Sequence, residues 1–264
     1  MDIDEERVKI GKFIKAGLFG LSFVLLVGCG FLYLPKAIAT FKPAKKEQKL
    51  PINSVECKEK TIGLSFDVTG EEKNVEEILQ VLKAHSVQAA FFVTGDWAKE
   101  HPSLVKSIFL AGHDIGNHGK SKKEMMQLSK KECMEEIAQA HNQVKDLTGV
   151  DMKLFRAPYG EFNDTVLAAC ETLGYLPIKW NIDSMDWKNY GKDSIVNTVC
   201  NNKNLQEGSI VLCHSETKFT KDALAELIET LQEKGYSFVK VSEMVYQAPY
   251  EIDEQGRQIQ SFSK

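Results

Sequence analysis

The chain has no excess of charge of either sign. Its 33 Lys and Arg against 37 Asp and Glu leave a formal net charge of -4 over 264 residues. The basic footprint of a nucleic-acid-binding protein is therefore absent, and nothing in the balance selects a polyanionic substrate. Internal repeats and low-complexity tracts are absent too, which sets aside solenoid and array architectures. Cysteine is sparse in pattern rather than in number. Of the six cysteines, Cys29 lies in an apolar run, and Cys57, Cys133, Cys170, Cys200 and Cys213 are dispersed without metal-type spacing. Five is also an odd number for a paired framework. Oxidising compartments favour pairing, so these thiols are either buried and inert or kept in a reducing environment.

Long apolar runs are equally scarce, and the single one stands at the N-terminus. Ala16 to Leu34 carries no charge and is closed by Lys15 and Lys36. About 20 such residues cross a hydrocarbon core. No Ala-x-Ala-like cleavage site follows, so the run reads as an uncleaved transmembrane anchor rather than a removed leader. Leu26-Val27-Gly28-Cys29 offers an alternative, a lipoprotein box with Cys29 as acceptor, although the apolar run continues past it to Leu34. Arg7, Lys9, Lys12 and Lys15 precede the span, while Lys36, Lys42, Lys45, Lys46 and Lys49 follow it. Basic residues alone therefore do not orient it.

What remains, with 43% hydrophobic residues overall, suits one domain plus appendages. The expected organisation is an N-terminal tail over 1–15, the anchor over 16–34 and a Lys- and Pro-containing linker over 35–59. A single α/β domain follows over 60–246, then a polar tail over 247–264 expected to be disordered. Within the domain, strand-like runs alternate with amphipathic ones. Strands are predicted at Thr61–Val68, Ala89–Val93, His113–Asn117, Lys153–Ala157, Leu176–Ile182, Ser209–Cys213 and Phe238–Val241. Helices are predicted at Val75–His85, Pro102–Ala111, Ser129–Thr148, from Asn163 or Asp164, at Asp193–Cys200 and at Asp222–Lys234. Ser129 with Glu132 reads as a capping box, and Val75, Ile78, Leu79 and Leu82 share one helix face. This βαβα order implies a parallel sheet with outer helices. About seven strands fit a closed barrel or an open doubly wound sheet, and periodicity does not choose between them.

Chemistry-bearing residues gather at the C-terminal ends of these strands. They are Ser65-Phe66-Asp67-Val68-Thr69-Gly70, Gly116-Asn117-His118, Phe155-Arg156-Ala157-Pro158-Tyr159-Gly160 and Leu212-Cys213-His214, with Asp183-Ser184-Met185-Asp186-Trp187 between the last two. In strand-helix repeats this end assembles the site. Cys213 and His214 are not a nucleophilic dyad, because neighbouring strand residues point to opposite faces.

In this order the segments resemble the polysaccharide deacetylase family of carbohydrate esterases (the NodB-homology group), over roughly Lys60 to Tyr246. The resemblance implies a distorted, incomplete (β/α) barrel. It also implies removal of acetyl groups from N-acetylated amino sugars of a cell-envelope glycan such as peptidoglycan, and hence an extracytoplasmic domain on a single-pass membrane protein. It assigns Asp67 as general base, Arg156 as its partner, His214 as general acid and Asp186 as the residue that raises the His214 pKa. It further implies that Tyr159 gives a backbone N–H to the oxyanion, that Trp187 walls the sugar pocket and that Pro158 belongs to the substrate-binding set. Fold alone does not fix the substrate, and esters on the same fold remain a further class.

The resemblance also implies a divalent, zinc-type metal, held by an aspartate after the base and by two histidines four residues apart. Here Val68 follows Asp67, and the residue four after His118 is Lys122. Valine does not ligate, and neither does a protonated ammonium. Three readings follow. Substitute ligands come from Asp67 or from Thr69 to Glu72; Lys122 supplies fixed positive charge in place of the metal; or the domain keeps glycan or partner binding without turnover. The Asp-Val-Thr-Gly opening resembles a membrane- or spore-associated bacterial subgroup that also lacks the second aspartate. His113 and Asp114 are expected to be structural, and His85, His101 and His141 have no assigned role.

Overall fold

The computed structural model describes residues 49–261. The tail over 1–15, the anchor over 16–34 and Cys29 lie outside the described residues, as does most of the linker. Among the described residues no helix is long and apolar enough to cross a membrane.

The chain opens with β1 (Ser54–Val55) and β2 (Thr61–Val68), followed by α1 (Glu72–Ala84), β3 (Ala90–Val93), α2 (Gly95–Glu100), α3 (Pro102–Leu110) and β4 (Asp114–Asn117). Next come α4 (Lys130–Thr148), β5 (Leu154–Phe155), α5 (Asp164–Leu173), β6 (Leu176–Pro177), β7 (Ile182–Asp183), α6 (Lys192–Cys200) and β8 (Ile210–His214). The chain closes with α7 (Thr220–Glu233), β9 (Ser237–Phe238), α8 (Val241–Met244), β10 (Tyr250–Ile252) and β11 (Arg257–Gln260). Local chemistry sets many of these boundaries. The predicted capping box at Ser129 and Glu132 starts α4, and left-handed Gly149 ends it. Asn163 caps α5 by accepting from the Val166 N–H, and Gly174 ends it.

The main sheet runs β6-β5-β4-β3-β2-β8-β7, all pairs parallel, with β9 added to the start of β2. Its two outer strands, β6 and β7, are consecutive in the chain. Seven flat strands would hold their edges about 29 Å apart. Five Cα steps from Pro177 to Ile182 span at most about 18 Å. The sheet must therefore curl into a half-barrel. Ile52 sits in the remaining gap, donating its N–H to the Pro177 carbonyl and accepting from the Lys179 N–H, both at 2.7 Å.

Strand alternation divides the side chains into two layers. Ile62, Leu64, Phe66 and Val68 of β2 join the helix-side core with Phe91 and Val93 of β3 and Val211 and Cys213 of β8. A smaller core, with Ile52, Ala90, Phe92, Leu154, Ile178 and Ile210, fills the barrel interior. Asp67 and His214 belong to the inward set of positions, which places them above that plug.

Three expectations are corrected. The predicted Leu176–Ile182 strand is two strands, because the chain must cross from one sheet edge to the other at Ile178 to Asn181. The linker ends earlier than residue 59: Ser54 and Val55 are buried and pair with β11. The tail after Tyr246 is ordered over residues 247–261. β10 and β11 form an antiparallel hairpin that joins β1 in a three-stranded sheet. Gln258 explains this, since its fully buried amide donates to the Tyr246 carbonyl and accepts from the Tyr246 N–H, both at 2.8 Å. A polar composition concealed a satisfied buried residue.

Candidate active site

Four inward positions meet at the mouth of the half-barrel. Asp67 ends β2 and is the direct register partner of His214, which ends β8. His118 follows β4, and Arg156 follows β5. Asp186 lies in the turn after β7.

Arg156 is completely buried. Its guanidinium donates to Asp67 Oδ1 at 2.8 Å, to Ser65 Oγ at 2.8 Å and to the Lys179 carbonyl at 3.0 Å. It lies 4.0 Å above the Phe92 ring and 5.4 Å from that of Trp180. Glycines make room for this stack. A Cβ on Gly116 would lie 2.4 Å from the Phe92 ring, and one on Gly160 would lie 2.3 Å from Trp180. Burial opposes the charge on Asp67, but His118, Arg156 and His214 outweigh it and hold the carboxyl below its ordinary range. Asp67 is therefore ionised, with Oδ1 committed to Arg156 and Oδ2 facing His118 Nε2.

His118 is almost fully buried. Its Nδ1–H donates to the Arg156 carbonyl at 2.8 Å, because a carbonyl can only accept. The neutral ring then turns a bare Nε2 toward Asp67 Oδ2 at 3.7 Å, too far for a hydrogen bond. Burial depresses the His118 pKa; Asp67 pulls the other way, while Arg156 and Lys122 push it down further.

His214 and Asp186 form a second buried unit. Asp186 Oδ1 takes the His214 Nδ1–H at 2.7 Å, and Oδ2 takes the His214 backbone N–H at 2.7 Å and the Thr220 hydroxyl at 2.6 Å. Nε2 is thus the nitrogen available to a substrate. Burial works against the imidazolium, but the hydrogen bond and charge of Asp186 prevail, and the His214 pKa is raised.

Pro158-Tyr159-Gly160 forms a short 3-10 turn in which Tyr159 is left-handed, at φ 62 and ψ 4. For a non-glycine residue this costs on the order of 1–3 kcal/mol, and such conformations cluster at functional sites. The Tyr159 ring is 61% exposed. Pro158 is buried at the start of this turn. Trp187 is 52% exposed and is presented by a turn flanked by left-handed Met185 and Asn189.

The metal positions differ from the implied set. Val68 is fully buried in the helix-side core. The Lys122 ammonium lies 3.5 Å from Thr69 Oγ1 and 3.5 Å from Glu216 Oε1, bridging the turns after β2 and β8. His118 Nε2 and Asp67 Oδ2 are two potential donors, whereas catalytic zinc normally takes three from the protein. Among the described residues no group of three or more His, Cys, Asp and Glu could hold an ion. The zinc-type metal does not fit this donor set.

Sequence reasoning found Asp67, Arg156, His118, Asp186 and His214, and the structure brings them together. It missed Ser65, Thr220, Glu216 and Ser215, whose hydroxyl accepts the Thr69 N–H at 3.2 Å and donates to the Thr69 carbonyl at 2.8 Å. Ser65 was discoverable, lying two residues before Asp67 on the same strand face. His113 and Asp114 are structural: His113 Nδ1 accepts the Ala89 N–H at 3.2 Å, and Asp114 takes both the Ser242 N–H and its hydroxyl. Among the described cysteines no thiol is bonded to another, and burial pushes the Cys213 thiol well above its ordinary value.

Comparison with known proteins agrees with this geometry. Residues 54–178 match the family model described as polysaccharide deacetylase. A 30.6 kDa protein of Geobacillus stearothermophilus is 36% identical over 200 residues, covering 73% of each chain. The peptidoglycan-N-acetylmuramic acid deacetylase PdaA of Bacillus subtilis is 31% identical over 198 residues, covering 72% of this chain and 73% of its own. A solved structure of BA3943 from Bacillus anthracis, described as a CE4 family pseudoenzyme, superposes with a TM-score of 0.70 at 30% identity, covering 74% of this chain and 68% of that one. The curled half-barrel, the two buried ion pairs at its mouth and these relatives lead to one assignment: the chain belongs to the polysaccharide deacetylase family.

Proposed function

We propose that this protein removes acetyl groups from N-acetylated amino sugars of a cell-envelope glycan such as peptidoglycan. The observation that carries the reading is the pairing of Asp67 with His214 on adjacent strands, each held by its own buried counter-charge. Amide hydrolysis needs a base for water and an acid for the leaving amine. Asp67 Oδ2 takes a proton from water as its oxygen attacks the acetyl carbonyl. The Tyr159 backbone N–H faces the resulting oxyanion. His214 Nε2–H protonates the sugar nitrogen as the C–N bond breaks, giving acetate and a free amine. No step is routed through a metal. Trp187 and Tyr159 offer exposed aromatic faces to the sugar.

A second reading, glycan binding without turnover, is favoured by Lys122. Its ammonium faces Glu216, so part of its charge is already neutralised, and a protein of similar fold is described as a pseudoenzyme. Acetate release from N-acetylglucosamine oligomers and from peptidoglycan, measured on the full chain with and without chelator, tests both. Chelator-insensitive release that disappears in His214→Ala supports hydrolysis. Oligomer binding without acetate release supports the second reading, and neither binding nor release overturns both. Turnover should fall as pH rises through the raised His214 pKa.

The reading places the domain outside the cell on a single-pass anchor over 16–34. Membrane fractionation with N-terminal sequencing tests this, and a mature chain starting at lipidated Cys29 would replace the anchor with a lipoprotein.

A further inference from the structure

Behind His118, on the helix side of the sheet, runs a chain of polar side chains that the proposed chemistry does not use. Asn117 ends β4 pointing away from the cleft and is fully buried. Its Oδ1 accepts the Gly119 N–H at 2.8 Å. Its Nδ2 donates to the Ile137 carbonyl of α4 at 2.8 Å and to the Tyr175 hydroxyl at 3.1 Å. The Tyr175 oxygen lies 2.6 Å from His141 Nδ1, and His141 Nε2 lies 3.2 Å from Asp151 Oδ1, which Lys145 also holds at 2.6 Å.

Donor chemistry fixes two links. An amide nitrogen only donates, so the Tyr175 oxygen accepts from Asn117; a carboxylate only accepts, so His141 donates to Asp151 through Nε2–H. In the neutral imidazole Nδ1 then accepts the Tyr175 proton, which burial keeps on the phenol by pushing its pKa up to about 12. The chain ends in the cleft loop. Gly119 is left-handed, at φ +75, and its N–H is the one Asn117 holds. This turn reverses the chain between His118 and Lys122. On either side of it the His118 N–H is bound to the Val93 carbonyl and the Gly119 carbonyl to the Gly95 N–H.

We propose that Asn117, held in place by Tyr175 and His141, is the positioning residue for the His118–Lys122 loop. Through the Gly119 turn it sets where the His118 imidazole and the Lys122 ammonium stand relative to Asp67. The idea deepens the proposed function, resting on that pocket being the acetamide site, but its first readout is independent of turnover.

The test uses the full chain with Tyr175→Phe, His141→Leu and His141→Asn. Tyr175→Phe removes one oxygen and keeps the ring. His141→Asn keeps an acceptor near the Nδ1 position, whereas His141→Leu does not. NMR reads the His118 Nδ1–H signal and the Gly119 amide exchange rate, and titration with N-acetylglucosamine oligomers reads the site. Tyr175→Phe and His141→Leu should speed Gly119 exchange about tenfold, the size expected for loss of one buried hydrogen bond. Both should move the His118 signal, and His141→Asn should restore both readouts. Unchanged His118 and Gly119 signals in Tyr175→Phe, with its melting transition intact, would overturn the proposal. If Tyr175→Phe does not fold, the His141 pair decides: equal behaviour of Leu and Asn would overturn it too. Wild-type protein that binds no oligomer would count against the glycan reading, while the NMR comparison would still judge the positioning role.

Discussion

Replacing Lys122 by histidine should create a divalent-metal site where the described residues offer two donors, His118 Nε2 and Asp67 Oδ2. Tetrahedral zinc, with bonds of about 2.0–2.2 Å to nitrogen and oxygen, sets neighbouring donors about 3.4 Å apart. His118 Nε2 and Asp67 Oδ2 stand 3.7 Å apart, so closing on an ion asks for a shift of only a few tenths of an ångström. What is missing is a third donor. What is present instead is a repulsive ammonium, whose side chain is 46% exposed. Were the ammonium on the order of 7 Å from the ion, with an effective dielectric constant of about 40, between near-surface and bulk values, a unit charge would repel a divalent ion by about 2.4 kcal/mol. That corresponds to about fiftyfold in affinity.

Charge relief and ligand gain can be separated. Lys122→Met removes the charge and adds no nitrogen or oxygen donor, so zinc affinity should rise about fiftyfold from a very weak baseline. Lys122→His adds an imidazole four residues after His118 and should rise well beyond that, to a one-to-one complex. Isothermal titration of metal-stripped full-length wild type and both variants reads this directly, and acetate release from N-acetylglucosamine oligomers is measured alongside. Two results would refute the reasoning. Tight, stoichiometric zinc in the wild type would reveal substitute ligands. Equal affinity of the His and Met variants would show that position 122 does not face the ion.

Arg156→Met strands the Asp67 charge in the barrel and should cost about 3–5 kcal/mol, read as a lowered melting temperature. Because Asp67 is held below its ordinary value of 3.8, its native contribution is present above that value and is lost only as pH falls through the lower folded pKa; in Arg156→Met the loss begins at higher pH. His113 behaves oppositely: burial and then Lys240 depress its pKa from 6.5 to about 4. Its contribution is present above pH 6.5 and shrinks as pH falls toward 4, by up to roughly 3 kcal/mol. His113→Asn, which keeps an acceptor for Ala89, should flatten that part of the denaturation profile. Gly208→Ala places a Cβ 1.7 Å from the Val55 carbonyl oxygen at a φ of +74, so it should lower stability by several kcal/mol and displace β1. Deleting residues 250–264 should lower the melting temperature, because Gln258 and its bonds to Tyr246 go with them; an unchanged melt would mean that the hairpin carries no stability.

The sequence made the alternation of strands and helices legible because the longer elements, such as Thr61–Val68 and Lys130–Thr148, repeat a strong period, and it located the site because strand ends carry unusual residues. It could not show barrel curvature. That follows from strand order, a property of which segments pair, and the deciding fact is the short passage from Pro177 to Ile182. Short strands such as Leu154–Phe155 and Leu176–Pro177 carry too few residues for a period to register. The C-terminal hairpin was missed because Gln258 is buried by two backbone bonds that local composition does not encode. His141 was set aside because a histidine on a helix face looks alike with or without a buried tyrosine behind it.

These constraints bear on which residues report turnover. Asp67 and Arg156 look like catalytic machinery, but their presence alone carries little information. Both are buried, and losing either one leaves an uncompensated charge that costs several kcal/mol whatever the domain does. Asp186 is in the same position, since it bonds the His214 backbone and Thr220 as well as the imidazole. The His214 ring is different. Its side chain is 20% exposed, its backbone N–H would bond Asp186 with any residue at that position, and only the imidazole presents a proton donor to the cleft. Structure alone therefore accounts for Asp67, Arg156 and Asp186, whereas the His214 imidazole both supplies the counter-charge of buried Asp186 and presents a proton donor to the cleft. Replacing His214 by glutamine keeps the backbone clamp but removes the counter-charge of Asp186, so a variant that still folds and binds oligomer but releases no acetate would separate chemistry from binding, and a variant that releases acetate at the wild-type rate would refute the acid role of His214.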